Sequence, residues 1–309
     1  MISEQTLSSW SFAPEATKYK LTHEQIREAL SKYLPNEAST KSNFILNNAN
    51  YDVYLQGSYA NSTNIKVDSD VDVVIELKTI FSYNIDNLTE IEKNDFHTTY
   101  PNLGKYTFDR FKQDVYQSLV LHFGIENVEY SKKCIKVRGN SQRVSADVVP
   151  SFEHRKYERF TYYTRDKFIP GIKFYNTSTN ETIINYPKKH KENCEAKNKD
   201  SEGKFKDAIR IFKHIRRELV EKGLIDKDLA PSYFIENMIY NCSSQTFNGS
   251  YSDITLKIFQ YLVNDINNGR FSLYQCANEQ DLLFSDKTWK LESAILFINK
   301  GADLLLEKI

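Results

Sequence analysis

Asp70 and Asp72 stand one residue apart at the head of an apolar, β-branched run, Val71-Asp72-Val73-Val74-Ile75. On a strand, alternate residues share a face, so the two carboxylates project side by side with Cα atoms roughly 7 Å apart. They repel one another and cost stability unless a cation lies between them. Hard oxygen ligands of this kind suit Mg²⁺, which is held by one or two carboxylates together with substrate phosphates. Asp68 leaves a 68/70 register open, whereas the apolar flanks Val71 and Val73 favour 70/72. Upstream, Leu55-Gln56-Gly57-Ser58-Tyr59 leaves a predicted strand. Glycine lets the backbone approach a phosphate closely, and the Ser58 hydroxyl with the N–H groups after it can donate to phosphate oxygens. The whole stretch reads as a triphosphate cradle joined to a metal site.

Asp147 is a third carboxylate, embedded in the strand Val144-Ser145-Ala146-Asp147-Val148-Val149. Aspartate is disfavoured inside strands, and a lone buried charge is costly unless it pairs or binds metal. A salt-bridged or edge-strand aspartate is the alternative. Three carboxylates around two Mg²⁺ ions permit in-line displacement at the α-phosphorus of a nucleoside triphosphate. One ion activates the attacking hydroxyl and the other binds the triphosphate and leaving pyrophosphate. Asp147 would serve the first ion and accept the proton. No Ser–His or Cys–His nucleophile pair stands out.

These residues need a sheet to hold them and a second element to bind the nucleotide. The first half of the chain is expected to be mixed α/β and the second mainly helical, with the boundary near 155–185. Met1–Tyr19 reads as an extended lead-in or short helix. Thr22-His23-Glu24-Gln25 reads as a capping box opening a helix along Ile26, Leu30 and Tyr33 that Pro35 ends. Asn43–Asn50 reads as a helical turn, Tyr51–Leu55 as a strand, Tyr59–Ile65 as a short helix, and Val71–Leu77 as the strand of the aspartates. Lys78–Lys105 is irregular and polar. Phe108, Phe111, Val115, Leu119 and Phe123 mark a buried helix face. Two strands follow, Glu129–Arg138, closed by Gly139-Asn140, and Val144–Val149, stopped by Pro150. Pro170-Gly171 is a candidate hinge. Tyr186–Lys222 is a local basic region, with 12 Lys/Arg against 7 Asp/Glu. Within it an apolar stripe (Phe205, Ala208, Ile209, Phe212, Ile215, Leu219) adjoins Lys206, Arg210, Lys213 and Arg217. Helical periods continue through Tyr233–Tyr240, Ile254–Asn264 and Trp289–Leu306.

At 309 residues, 40% hydrophobic and 27% charged, the chain can bury a large core. With 41 basic and 41 acidic residues, no overall field draws nucleic acid or anionic membrane. No apolar run approaches a membrane span, and the N-terminus lacks a signal-peptide core. Cys134, Cys194, Cys242 and Cys276 are scattered without C-x-x-C spacing, as reduced thiols of a cytoplasmic protein would be, and offer no structural zinc motif.

Gly57-Ser58, then Asp70-x-Asp72, then an isolated strand Asp147, resembles the pattern of the nucleotidyltransferase superfamily that includes DNA polymerase β. Within it the chain is similar to the bacterial relatives of cyclic GMP–AMP synthase and oligoadenylate synthase, the CD-NTases of anti-phage signalling. The likeness continues through Gly171-Ile172-Lys173-Phe174, Asn185-Tyr186-Pro187-Lys188-Lys189-His190, the basic helix Phe205–Glu221, and Pro231-Ser232-Tyr233. The resemblance implies a two-lobed α/β fold. Residues 1–165 would form the catalytic lobe with a spine helix near Thr22, and 166–309 a helical nucleotide-binding lobe, with the active-site cleft between them. It also implies Asp70, Asp72 and Asp147 as catalytic residues and metal ligands for two Mg²⁺ (Mn²⁺ substituting). Gln56, Gly57, Ser58, Lys213 and Ser232 would be placed on the triphosphate and Tyr233 stacked on a base. The chain would build a cyclic di- or trinucleotide second messenger from nucleoside triphosphates without a template. Read from the residues alone, Lys213 is equally a solvated helix residue, Ser232 an N-cap, and Tyr233 a core residue. His190 reads as structural or surface rather than catalytic. No Cys/His cluster suggests a zinc-bearing DNA-binding insertion, so activation by double-stranded DNA is not implied; a regulatory protein partner is, by the resemblance. Two alternatives stay open: transfer to an RNA 3′ end or a protein side chain, and a silent nucleotide-binding scaffold of the same fold.

Overall fold

A computed structural model describes residues 1–14, 17–34, 37–38, 44–45, 50–66, 70–101, 106–161, 166–285 and 289–308. Asp68, and Pro35 as a helix stop, lie outside the described residues. The chain divides into two compact units that interleave along the sequence. One comprises Ala16–Gln56 and Asp68–Lys188; the other comprises Met1–Glu15, Gly57–Val67 and Lys189–Ile309.

The first unit is built on a mixed sheet. Numbered in chain order, it contains α2 (Lys18–Tyr33), a two-residue pair β1 (Glu37–Ala38) and β2 (Phe44–Ile45), β3 (Tyr51–Gln56), β4 (Val71–Asn84), α4 (Glu90–Thr99) and α5 (Phe108–Phe123). It continues with β5 (Val128–Tyr130), β6 (Ile135–Val137), β7 (Ala146–Arg159), β8 (Lys167–Asn176) and β9 (Glu181–Asn185). The strand order is β3-β4-β7-β6-β5, with β8 also on β7 and β9 on β8. β4 and β7 run parallel, and the other pairs are antiparallel. Odd-numbered Val71, Val73, Ile75 and Leu77 of β4 are fully buried, as are Phe111, Val115 and Leu119 of α5 and Ile26, Ala29 and Leu30 of α2. Each such side chain contributes about 1.5–3 kcal/mol when taken from water. This apolar face fixes the register, because a slip of one residue would turn the other face inward.

Several sequence expectations change here. Thr22 is not an N-cap: α2 begins a turn earlier. Its buried hydroxyl donates to Lys18 O (2.8 Å) and accepts from the Val144 N–H (3.1 Å), tying the helix to the entry of β7. Phe44–Ile45 is a strand rather than part of a helical turn. The stretch read as irregular from Lys78 carries the rest of β4 and then α4, whose Thr89/Glu92 capping box closes with hydrogen bonds in both directions. Phe96 of α4 packs with Phe81, Tyr157 and Phe160 in a separate aromatic cluster. Glu129–Arg138 is two strands, since the polar Ser131-Lys132-Lys133 makes the turn between β5 and β6. Pro150 does not end its strand. On that side of β7, β6 pairs only to Val148 and β8 only from Phe152, so proline falls where the neighbouring ladder is interrupted and a missing N–H breaks nothing there.

The second unit is helical: α1 (Glu4–Ser11), α3 (Gly57–Ala60), α6 (Pro187–Asp200, joining at Lys189), α7 (Lys204–Glu221), α8 (Ser232–Tyr240), α9 (Tyr251–Asn267) and α10 (Leu291–Leu305). The apolar stripe expected on α7 is buried throughout, against Phe234, Ile235 and Met238 of α8, Ile258 and Leu262 of α9, and Phe297 of α10. Leu7 of α1 is buried in the same core, and the Ile2 N–H donates to Leu305 O at 2.8 Å. Among the described residues no helix is long and apolar enough to cross a membrane. All four cysteines are free and buried.

Pro170-Gly171 is not a hinge; both residues lie inside β8, opposite Arg155 and His154. A Cβ on Gly171 would stand 2.9 Å from Asn185 O and from the Tyr186 ring. Gly171→Val should therefore lower unfolding stability by about 1–3 kcal/mol in urea titration. A fully tolerated substitution would restore the hinge reading.

Candidate active site

The sheet places four side chains in one row. Gln56 of β3 is the register partner of Asp72, Asp72 of Asp147 across the parallel β4–β7 pair, and Asp147 of Lys136 on β6. Register partners project from the same face, so the two carboxylates face one another from adjacent strands, opposite the apolar core. Asp70 precedes β4 and is exposed. Burial, with the negative charges of Asp147 and Asp70, pushes the Asp72 carboxyl up to about 6. The neighbouring Cys134 thiol is pushed up to about 12 by burial and by the adjoining Asp147 carboxylate, to which it hydrogen-bonds. All the clustered donors are hard oxygens that repel one another, and a divalent cation relieves that repulsion; the donor set fits Mg²⁺ or Mn²⁺.

The Gly57–Ser58 segment belongs to the helical unit. Gly57 has φ +70°, a left-handed conformation that a side chain would strain, and it opens the single turn α3. The loop is closed by the Asn61 N–H to Gly57 O (3.1 Å) and the Thr63 N–H to Ser58 O (2.8 Å). It is held from behind by a buried carboxylate on α8. Glu236 accepts from Asn61 Nδ2 on one oxygen (2.6 Å) and from the Thr63 hydroxyl on the other (2.9 Å). His190 Nε2 lies 2.8 Å from the first of these oxygens. The Lys213 ammonium donates to Thr63 O and to Thr63 Oγ1, both at 3.0 Å, and stands 3.7 Å from Glu236. Arg210 donates to Ser62 O and Ser11 O. Burial alone would raise the Glu236 carboxyl, but the His190 hydrogen bond, the Lys213 charge and the Thr63 hydroxyl hold it down at about 2. It is therefore ionised.

Asp70, Asp72, Asp147 and Gln56 thus come together on the sheet, and Gly57, Ser58, Lys213, Ser232 and Tyr233 all lie in the helical unit. Lys213, read as either a phosphate contact or a solvated residue, is buried with its ammonium on the loop. Pro231, not Ser232, is the N-cap of α8; Ser232 is its first residue and is exposed. Tyr233 is exposed rather than core, and its ring stacks on His190 with centroids 5.1 Å apart. His190 is buried, as a structural histidine would be. Asn61, Thr63 and Glu236 were not singled out from the sequence. The available signal was an acid inside the apolar helix Phe234-Ile235-Glu236-Asn237-Met238-Ile239.

His190, Cys194 and Glu236 each bring a ligand atom within 4.8 Å of the others. A metal-bound imidazole donates its second ring nitrogen to a partner, whereas His190 Nδ1 is buried with none. Burial also pushes the Cys194 thiol up, away from the thiolate a metal requires. The cluster is a hydrogen-bonded one.

Residues 192–306 match the model of the cGAS/DncV-like nucleotidyltransferase C-terminal helical domain. The chain is 36% identical over 305 residues to the cyclic UMP-AMP synthase of Rhodothermus marinus, covering 98% of this chain and 97% of that one. It is 38% identical over 301 residues to the cyclic nucleotide synthase CdnE01 of Staphylococcus haemolyticus, covering 96% of each. The solved structure of the Rhodothermus marinus CdnE c-UMP-AMP synthase with Apcpp and Upnpp superposes with a TM-score of 0.84 at 35% identity, over 99% of this chain and 97% of that one. The fold is thus the two-lobed polymerase-β-like one. Likeness of this extent, running through both the sheet and the helical unit, makes the chain a member of the cGAS/DncV-like nucleotidyltransferases, the CD-NTases.

Proposed function

We propose that this nucleotidyltransferase joins two nucleoside triphosphates into a cyclic dinucleotide signal for anti-phage defence, with the chemistry carried by Asp72 facing Asp147. In each of two transfers a ribose hydroxyl oxygen bonds to the α-phosphorus of a triphosphate. The bond from that phosphorus to the bridging oxygen breaks, and pyrophosphate leaves. Asp147, between the hydrogen-bonded Cys134 and the strand neighbour Lys136, takes the hydroxyl proton. Asp70, Asp72 and Asp147 would hold the divalent cations, which supply Lewis-acid activation of the hydroxyl and neutralise charge on the pyrophosphate. Gly57 and Ser58 would present backbone and hydroxyl donors to the triphosphate, with Gln56 leading into them and the exposed Ser232 of α8's first turn adding a hydroxyl. Lys213 adds positive charge through the loop it grips. Tyr233, partly exposed with its ring stacked on His190 and tilted against Trp289, offers an aromatic platform, and base stacking on such a ring is worth about 1–3 kcal/mol.

The observation that carries this reading is the register pair Asp72–Asp147, whose repulsion has no structural use without a cation. The extensive likeness to a cyclic UMP-AMP synthase makes ATP and UTP the first pair to supply. Purified protein incubated with α-labelled nucleoside triphosphates and Mg²⁺ should yield phosphatase-resistant label without added acceptor. Label appearing only when RNA or protein is added would favour the acceptor-dependent alternative. Binding of triphosphate with no pyrophosphate release under any of these conditions would favour the scaffold.

Asp72→Asn should cut turnover by roughly a hundredfold or more while leaving the metal-free melting temperature unchanged or higher, since it removes a repelling charge. A variant turning over at the wild-type rate would take the pair out of the chemistry. A proton and a divalent cation compete for the Asp72 carboxylate, whose value is raised to about 6. Calorimetric titration should therefore give Mg²⁺ affinity that is flat between pH 7 and 8 and weakens about tenfold per unit further below 6. Affinity constant down to pH 5 would contradict the assignment.

A further inference from the structure

We infer that Glu236 is a positioning residue that sets the triphosphate loop and the base platform together from one buried carboxylate. The inference rests on the nucleotide roles proposed above for Ser58 and Tyr233 and assigns what holds them in place.

Two arms leave this carboxylate. The first runs through Asn61 and Thr63 to the loop whose opposite edge carries Ser58: the Thr63 N–H bonds to Ser58 O, and the Asn61 N–H to Gly57 O. The second runs through His190, whose ring nitrogen lies 2.8 Å from Glu236 and whose ring face lies under Tyr233. The Glu236 carboxylate bonds to Asn61, Thr63 and His190 rather than to Ser58 or Tyr233, so it acts through others. Lys213 completes the assembly by gripping Thr63 through both its carbonyl and its hydroxyl. Burying a charge in the apolar middle of α8 is justified only if its acceptor sites are occupied, and here Asn61, Thr63, Lys213 and His190 each lead toward a proposed nucleotide contact, the Cys194 thiol at 3.8 Å being the remaining neighbour. A core built for stability alone would carry leucine at this position.

The partners also limit which substitution can replace Glu236. Glutamine keeps the oxygen that faces Asn61 and His190 but turns an NH₂ group toward Thr63 and the Lys213 ammonium. Aspartate keeps the charge but falls short of both arms. Thr63→Val cuts the hydroxyl link of the first arm, leaving Asn61 on Glu236 and the Glu236–Lys213 pair. His190→Phe cuts the second arm and keeps a ring beneath Tyr233.

The experiment reads hydrogen exchange across residues 57–66 and the affinity for a non-hydrolysable ATP analogue with Mg²⁺, in wild type, Glu236→Gln, Thr63→Val and His190→Phe. Glu236→Gln should speed loop exchange and weaken analogue binding at least tenfold. Thr63→Val should reproduce the faster exchange with a smaller loss of affinity, and His190→Phe should weaken binding with the loop unchanged. The double variant Thr63→Val/Glu236→Gln should bind little worse than Glu236→Gln alone, because both break the same Thr63 link. Loop exchange at the wild-type rate in both Glu236→Gln and Thr63→Val overturns the anchoring itself. Faster exchange with undiminished affinity instead overturns the nucleotide role given to the loop, and the positioning proposal with it. Should Glu236→Gln fail to fold, Thr63→Val and His190→Phe decide each arm separately.

Discussion

Two carboxylates on adjacent strands repel one another, and the parallel pairing of β4 with β7 leaves Asp72 and Asp147 no way to part. Their positions are dictated by the opposite face of the same strands, where Val71, Val73 and Ile75 are wholly buried. Raising the Asp72 carboxyl from 3.8 to about 6 corresponds to an opposing free energy on the order of 3 kcal/mol before solvent screening reduces it. Two buried valines offset that. The sheet can therefore hold the pair in a disfavoured arrangement and leave the balance to be restored by a cation.

The helical unit solves the opposite problem. Glu236 is a single charge fully removed from water, and its oxygens are satisfied by Asn61, Thr63 and His190, with Lys213 as counter-charge. Its carboxyl is held far below the usual range, whereas that of Asp72 is pushed far above it. Burial raises both acids, and the contrast follows from partners: hydrogen-bond donors and a lysine offset burial at Glu236, whereas other acids add to it at Asp72. A fully satisfied acid is fixed in place, and a repelled one is poised to take a ligand.

The facing aspartates were legible because an acid on an apolar strand conflicts visibly with strand propensity, and Asp72 and Asp147 both show it. The long helices were legible for the complementary reason: on α5 and α7 the apolar period runs unbroken for four turns or more. The failures came where local rules were overruled by partners far away in sequence. Thr22 has the right neighbours for a cap, but Val144 claims its hydroxyl. Pro150 looks like a strand end until the gap between β6 and β8 is seen. Pro170-Gly171 looks like a hinge until Tyr186 is found covering the glycine. Lys213 shows the same limit, since nothing in a basic helix stripe distinguishes a lysine buried against Thr63 from one in solvent. Glu236 left only the trace of an acid among apolar neighbours.

The interleaving of the two units bears on how the chain is made. Leu7 and the Gly57–Val67 segment belong to a compact unit whose main helices, α7 to α10, are encoded after residue 200. During vectorial synthesis the N-terminal helix and the loop of Ser58 lack their native partners until α7 and α8 leave the ribosome. The strands on either side of that loop, β3 and β4, can pair with each other, and β4 with β7, well before then. A prematurely ended product would thus carry a sheet with its aspartates but no anchored loop. The repelling pair on the sheet is made before the Glu236 carboxylate that fixes the loop, because the loop's anchors all lie on α6 to α8.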